Sequence, residues 1–329
     1  MIRTFLYDAE GEDREIESGS EHLPRLEEHH LAWIDVTGRD AADVSRLATM
    51  LSLSSACVSD LTENVRRFNL ANYGTYIHFD VATIGPPDGA AGSLPAPHRS
   101  QRLDIILGEG WILTVHENPV KFLDDFRDQD RGETFIGRLT PAGLATSLLD
   151  WHLAAYLAAL ENIEVFADRM DMRMLSATRV RDDLLADLVG ARRYVSSLRR
   201  SLAPQRSIFY GLSRPDMALA VGPDAGDGYK DLERRFERVL DSIEHARELI
   251  QSSFELFTTR TAETTNTLIR RLTFISILLG ALGGVAGVFG MNFETPYPKT
   301  GLFGFWGVIG SFVAVGIVSL VVARNRKWL

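Results

Sequence analysis

Two uncharged apolar runs near the C-terminus constrain this chain more than any other feature. Leu272–Gly290 (LTFISILLGALGGVAGVFG) holds 19 residues and Leu302–Ala323 holds 22, with no charge in either. About 20 such residues cross ~30 Å of hydrocarbon, and backbone in that medium must satisfy its own hydrogen bonds, so each run predicts a spanning helix. Arg270 and Arg271 precede the first run, and Arg324, Arg326 and Lys327 follow the second. By the excess of basic residues on the cytoplasmic side, both termini are expected in the cytoplasm. The connecting stretch MNFETPYPKTG, with only Glu294 and Lys299 charged, is then expected outside.

The rest of the 329 residues exceeds what one core commonly holds, so more than one part is expected. Residues 1–271 carry nearly all the charge. The net charge of −9 argues against a nucleic-acid binder, which needs clustered Lys and Arg, and suits cations better. Cys57 is the only cysteine, which rules out an intramolecular disulfide and a Cys-based zinc site and fits a reducing compartment. The N-terminus MIRTFLYDAEGEDRE lacks the basic and apolar regions of a signal peptide.

Along the chain, β-rich runs fall at Arg3 to Tyr7, Leu31 to Val36, Tyr76 to Thr83, Leu103 to Leu107 and Trp111 to Val115. Asp40 is the expected N-cap of a helix through Leu51, and another helix is expected over Pro119 to Asp130. Residues 85–98 hold four prolines and three glycines and read as a loop. Helical patterns run over 141–176 and 180–212, as an antiparallel hairpin. After a Gly/Pro/Asp-rich break at Val221 to Gly228, no proline occurs from Tyr229 to Asn292. A single helix over 229–290 would be roughly 93 Å long at 1.5 Å per residue. The expected organisation is α/β at 1–140, a helical hairpin at 141–228, a stalk helix entering the first span at 229–290, a loop at 291–301, the second span at 302–323 and a basic tail at 324–329.

Two helices cannot enclose a water-filled path, so transport requires several copies around an axis; otherwise the spans are an anchor for a sensor or scaffold. Within the first span Ser276, Gly280, Gly283, Gly287 and Gly290 recur at spacings of 4, 3, 4 and 3, which lays a stripe of small residues along one face. The stripe reads either as close helix packing or as a pore lining. Asn266, Thr273 and Ser276 extend polar character along the same helix, and the loop opens with Met291 and Asn292. An amide at a pore mouth suits magnesium, which dehydrates reluctantly, and Glu294 beside it would concentrate cations. His29-His30 and His116-Glu117 have no second ligand at helical spacing and read as surface or loop histidines. There is no HExxH and no P-loop, so no enzyme, catalytic cofactor or nucleotide partner is expected.

Gly290-Met291-Asn292 followed by Phe293-Glu294, between two C-terminal spans and ahead of a basic tail ending RKWL, resembles the CorA magnesium transporters. The resemblance covers 229–329 in detail and the N-terminal part in its α/β-then-helices pattern. It implies an α+β cytoplasmic domain followed by long helices and two transmembrane helices, assembled as a funnel-shaped homopentamer in the cell (inner) membrane. The Gly-Met-Asn loop is then the selectivity site for hydrated ions, and Mg2+ is both cargo and regulatory ion. Ungapped register from Asn292 implies a polar ring at Asn266 and a constriction at Leu272. Asp231 and Glu255 fall on acidic positions of the long helix, and the Asp231 position implies an intersubunit metal site that closes the channel. Gly280 and Gly283 replace a bulky Met and a polar Thr of the family, and Thr295-Pro296-Tyr297-Pro298 replaces its Met-Pro-Glu-Leu continuation. Leu198 to Arg206 (LRRSLAPQR) resembles the ZntB zinc-transporting branch. A Zn2+, Co2+ or Ni2+ transporter, coupled or not to protons, is the alternative reading.

Overall fold

A computed structural model of the chain describes residues 1–8, 10, 12–16, 26, 27, 29–63, 65, 67–85, 100–129, 136–176, 182–217, 225–290 and 301–325. It divides into two compact units, Met1–Asp171 with Asp183–Ser253, and Met172–Asp182 with Phe254–Leu329.

The first unit is built on a seven-stranded sheet. Its strands are β1 (Ile2–Asp8), β2 (Arg14–Ile16), β3 (His30–Thr37), β4 (Leu70–Asn72), β5 (Ile77–Ile84), β6 (Ser100–Gly108) and β7 (Trp111–His116), in the order β2-β1-β3-β7-β6-β5-β4. Every neighbouring pair is antiparallel except β3–β7. The central strands are buried along nearly their whole length, so apolar residues stand on both faces, interrupted by buried polar residues such as Asp35, His78, Asp80, Arg102 and Asp104. All five β-rich runs coincide with strands, the third except for Tyr76, which precedes β5. The two three-residue edge strands, β2 and β4, are too short to leave a periodic signal.

Helices α1 (Ala41–Leu51) and α2 (Ser55–Thr62) supply Val44, Leu47, Leu51, Cys57 and Leu61 to a core shared with Ile34, Val36, Ile106, Leu113 and Val115. Asp40 caps α1 as expected, its carboxylate accepting from the N–H groups of Ala42 (2.9 Å) and Asp43 (3.3 Å). Ser54 caps α2, which the sequence reading had not foreseen. Helix α3 (Lys121–Asp128) is shorter than the expected Pro119 to Asp130.

Three further helices, α4 (Pro141–Ser176), α5 (Asp182–Leu202) and α6 (Arg206–Leu212), replace the expected two-helix hairpin. The second arm breaks at Pro204, which has no N–H to continue an α-helix, and a 3₁₀ turn over Ala203–Gln205 takes its place. The sheet, α4 as far as Asp171, α5 from Asp183 and α6 belong to one compact unit. Tyr156 on α4 and Gln205 at the break both donate to the carbonyl of Ala82 on β5, at 2.9 and 3.1 Å.

His152 of α4 is fully buried, with Nε2 3.0 Å from Gln205 Oε1 and its ring against Tyr156. Burial pushes its pKa down to about 4, against the Gln205 hydrogen bond that raises it. The unfolded chain therefore binds a proton that the folded one refuses between pH 6.5 and about 4. Stability should be full above pH 6.5 and fall by about 3 kcal/mol as the pH drops to about 4. Denaturation midpoints of the detergent-solubilised chain over that range would check this, and a flat profile would contradict it.

The long helix α7 (Ala225–Phe289) begins inside the Gly/Pro/Asp-rich break, earlier than Tyr229. The rest of that break, and the 85–98 loop beyond residue 85, lie outside the described residues. In the second unit the last turn of α4 is closed by Arg260, which donates to the carbonyls of Met174 (3.3 Å) and Leu175 (2.8 Å). The final helix, α8 (Gly301–Asn325), opens on Phe303, Phe305 and Trp306 and closes near Arg324, the aromatic and basic flanks of a spanning helix.

Candidate functional site

Most of α7 holds together as helix because no glycine or proline occurs between Tyr229 and Leu279. Its threonines return their hydroxyls to the helix: Thr261, Thr264, Thr265 and Thr267 each donate to a carbonyl four residues back. Beyond Arg271 the apolar surface is bare. Leu272 and Ile277 are each 66% exposed, and Phe303 on α8 is 93% exposed. Both α7 and α8 contain a window long and apolar enough to cross a membrane, with none of that window buried in this chain. So large an apolar surface requires lipid or further copies to cover it.

At 100° per residue, Asn266, Leu272, Thr273, Ser276, Gly280, Gly283 and Gly287 lie within an arc of roughly 120° on α7. All seven are exposed. Glu255 falls in the same arc and is exposed too. A Cβ built at Gly280, Gly283, Gly284 or Gly287 would meet no atom within 4 Å, so nothing in the single chain explains this small-residue face. Gly290 closes the helix through its N–H to the carbonyls of Ala286 (3.0 Å) and Gly287 (3.2 Å). Met291, Asn292 and Glu294 lie outside the described residues.

Asp231 stands apart from this group, in the first unit. It is 70% exposed and ion-paired with Arg234 one turn on, an arrangement worth under about 1 kcal/mol in water.

Sequence reasoning missed two buried charge clusters in the sheet. In one, the fully buried Asp104 accepts from Arg39 Nη2 (2.6 Å) and Arg102 Nη2 (2.6 Å), with His78 Nε2 at 2.8 Å. Asp80 beside it accepts from the N–H groups of Phe68 (3.2 Å) and Asn69 (3.0 Å). Burial alone would lower the His78 pKa, but the Asp104 carboxylate, with Cys57 beside it, overcomes that and holds it up at about 9. Asp104 itself lies below the usual carboxylate range, because its cationic partners outweigh burial.

In the other cluster, Asp35 accepts from Thr114 Oγ1 (2.6 Å) and Arg127 Nη1 (2.8 Å) and faces His116 Nε2 (3.0 Å). His116 Nδ1 is 2.7 Å from the Asn118 carbonyl. His116 is therefore a buried member of an ion-pair network, not the surface or loop histidine expected. Most of the paired charges come from elements distant in sequence, the β3–α1 turn, β5 and β6 in one cluster and β3, β7 and α3 in the other. The local hints were the i, i+2 pairs His78 and Asp80 on β5 and Arg102 and Asp104 on β6, each sharing one face of its strand.

Residues 28–324 match the family described as CorA-like Mg2+ transporter protein. The chain belongs to that family. It is therefore a CorA-family divalent-cation transporter, and the match runs from the sheet through both candidate spans. The cobalt/magnesium transport protein CorA of Thermotoga maritima is 22% identical over 309 residues, covering 93% of this chain and 86% of that protein. The CorA magnesium transporter of Methanocaldococcus jannaschii superposes with a TM-score of 0.73 at 16% identity, over 99% of this chain and 98% of that one. The full-length CmaX protein gives 0.73 at 20% identity, over 99% and 97%. At these identities the superpositions establish a CorA-like fold, with a soluble α/β part, a long helix and two candidate membrane helices.

Proposed function

We propose that five copies of this CorA-family chain form a passive channel for magnesium influx, with the exposed polar and small-residue face of α7 turned toward the central axis. That face is the observation that carries the reading, because its residues find no partner in the single chain. The cell membrane holds the two spans, and both termini lie on the cytoplasmic side. Gly290, Met291 and Asn292 form the outer ring. There the Asn292 amide oxygen accepts from the waters of a hydrated ion, and Glu294 raises the local cation concentration. Leu272 sets the constriction and Asn266 a polar ring at the cytoplasmic end. The glycines at 280, 283 and 287 leave the bore wide and offer backbone carbonyls in place of side chains. Transport needs no nucleotide: ~100 mV acting on a divalent ion supplies roughly 4.6 kcal/mol.

Asp231 and Glu255 are the regulatory candidates. In the assembly Asp231 exchanges its weak Arg234 pair for a metal shared with a neighbouring copy, and the resulting bridge favours the closed state.

A zinc, cobalt or nickel cargo is the second reading, favoured by the likeness of Leu198 to Arg206 to ZntB. Within that segment Gln205 is buried and bonded to His152 and Ala82, which gives it a packing role. Magnesium remains the first reading for that reason.

Divalent-ion flux into liposomes carrying the full chain is the test, with magnesium and zinc at equal concentration and Asn292→Ala as control. Magnesium flux that disappears in the variant is the expected outcome. Zinc flux without magnesium would replace the cargo, full flux in the variant would remove Asn292 from selectivity, and no flux at all would leave an anchored sensor or scaffold.

A further inference from the structure

The start of β3 brings together three metal-ligating side chains that the transport reading does not use. The β1–β3 register sets Asp8 directly opposite His30, and His29 precedes it in the turn. The two imidazoles lie against each other with ring centroids 4.2 Å apart. One Asp8 oxygen is 3.8 Å from His29 Nε2 and the other is 3.4 Å from His30 Nε2. Ligand atoms of all three residues fall within 4.8 Å of one another. Glu27, outside that group, brings a second carboxylate to its edge, with an oxygen 3.8 Å from His29 Nε2.

Two ligands held at about 2.1 Å around a tetrahedral ion lie roughly 3.4 Å apart. The two carboxylate–imidazole separations, each to a different Asp8 oxygen, are at that value or a few tenths of an ångström beyond it, and the group as a whole, within 4.8 Å, must draw in by side-chain rotation to close on an ion. The carboxylate is oriented from behind, since the Glu10 N–H donates to Asp8 Oδ1 at 3.0 Å and leaves Oδ2 toward His30. A carboxylate tied to a backbone donor keeps its aim, as the outer partners of metal ligands do. The side chains are 24% (Asp8), 29% (His29) and 17% (His30) exposed, so an ion from solution can reach them.

We infer that Asp8, His29 and His30, completed by Glu27, bind a divalent transition-metal ion of the zinc class. Two imidazoles and two carboxylates suit Zn2+ or Co2+ in four-coordinate geometry. Mg2+, by contrast, prefers six oxygens and keeps its waters. The His30 ring shows what binding must change. The Glu27 N–H approaches His30 Nδ1 at 3.2 Å, which places the ring proton on Nε2, facing Asp8. An ion on Nε2 takes that position, the proton moves to Nδ1, and the Glu27 contact opens. The turn itself stays closed by the His30 N–H bonded to the Glu27 carbonyl at 2.9 Å. This site is independent of the conduction path and of which ion the path carries.

Cobalt(II) titration of the full chain in detergent, with magnesium in excess, tests the site directly. A four-coordinate cobalt with histidine ligands absorbs visible light far more strongly than hydrated, octahedral cobalt, so the spectrum separates this site from any ion held with its waters. We expect one intense tetrahedral spectrum per chain, displaced by stoichiometric zinc. His29→Ala with His30→Ala should abolish that spectrum and weaken zinc binding by more than about a hundredfold, beyond the 10- to 100-fold cost of losing an outer partner. His30→Gln keeps a polar group against Asp8 and serves if the double variant does not fold. Purely octahedral cobalt in the unmodified chain, or zinc binding unchanged in a folded variant, would overturn the site.

Discussion

Asp104→Asn should destabilise the first unit by about 3–5 kcal/mol, the usual cost of removing one partner from a buried ion-pair cluster. Folded domains are stable by only 5–15 kcal/mol in total, so this change alone could unfold much of the population at modest temperature. The amide keeps the shape of the side chain but strips the charge on which Arg39, Arg102 and His78 converge. Asp80, 3.7 Å from Arg102 Nε, would be left to balance that guanidinium.

The pH dependence separates this effect from simple loss of packing. His78, raised from 6.5 to about 9, contributes stability that is fully present below pH 6.5 and lost as the pH rises through about 9. Asp104, lowered from its ordinary 3.8, contributes stability present above that pH and lost on further acidification. Denaturant midpoints of the full chain can be followed by fluorescence of Trp33, which is buried in the same sheet. They should decline between pH 6.5 and 9 in the unmodified protein and lose that decline in Asp104→Asn. An unchanged alkaline slope in the variant would mean that Asp104 does not hold the His78 proton.

Gly283→Phe is the second large effect, expected to cut magnesium flux at least about tenfold while leaving the chains assembled. Phenylalanine is a better helix former than glycine, so α7 itself should not break. In a single chain the new side chain meets nothing, because a Cβ at Gly283 has no neighbour within 4 Å. Its effect therefore belongs to the assembly. With the arc of Asn266, Thr273, Ser276, Gly280 and Gly283 facing a central axis, several copies of the ring would crowd one level of the path. Flux and oligomer size, measured on the same preparation, decide the matter. Assembly with lost flux supports the pore face, and dissociation of the chains would assign the glycine stripe to helix packing instead.

Much of the candidate site was legible in the sequence because it lies on one helix. The helical period alone places Asn266, Leu272, Thr273, Ser276 and the glycines on a common face once the segment is known to be unbroken, and the missing prolines announced that. The spans were legible for a similar reason, since 19 and 22 uncharged residues have few other homes. The strands were legible as apolar runs, and the α1 cap as a single aspartate before a periodic segment. The break at Pro204 could have been read from the missing N–H, but the surrounding helical pattern masked it.

What remained hidden depends on strand pairing. Asp104 meets His78 because β6 pairs with β5, it meets Arg39 because the turn after β3 reaches over β7, and Asp8 meets His30 because β1 pairs with β3. His116 looked like a loop histidine until β3 and β7 paired and set it against Asp35. The sequence by itself determined the membrane-compatible helices, the face that α7 presents and the family signature at Gly290 to Glu294, since each of these follows from local periodicity or composition. Only the tertiary structure decided which charges are buried together and which histidines share a carboxylate. Register between strands is set by the burial of whole faces and by turn geometry, and no single segment of sequence records it.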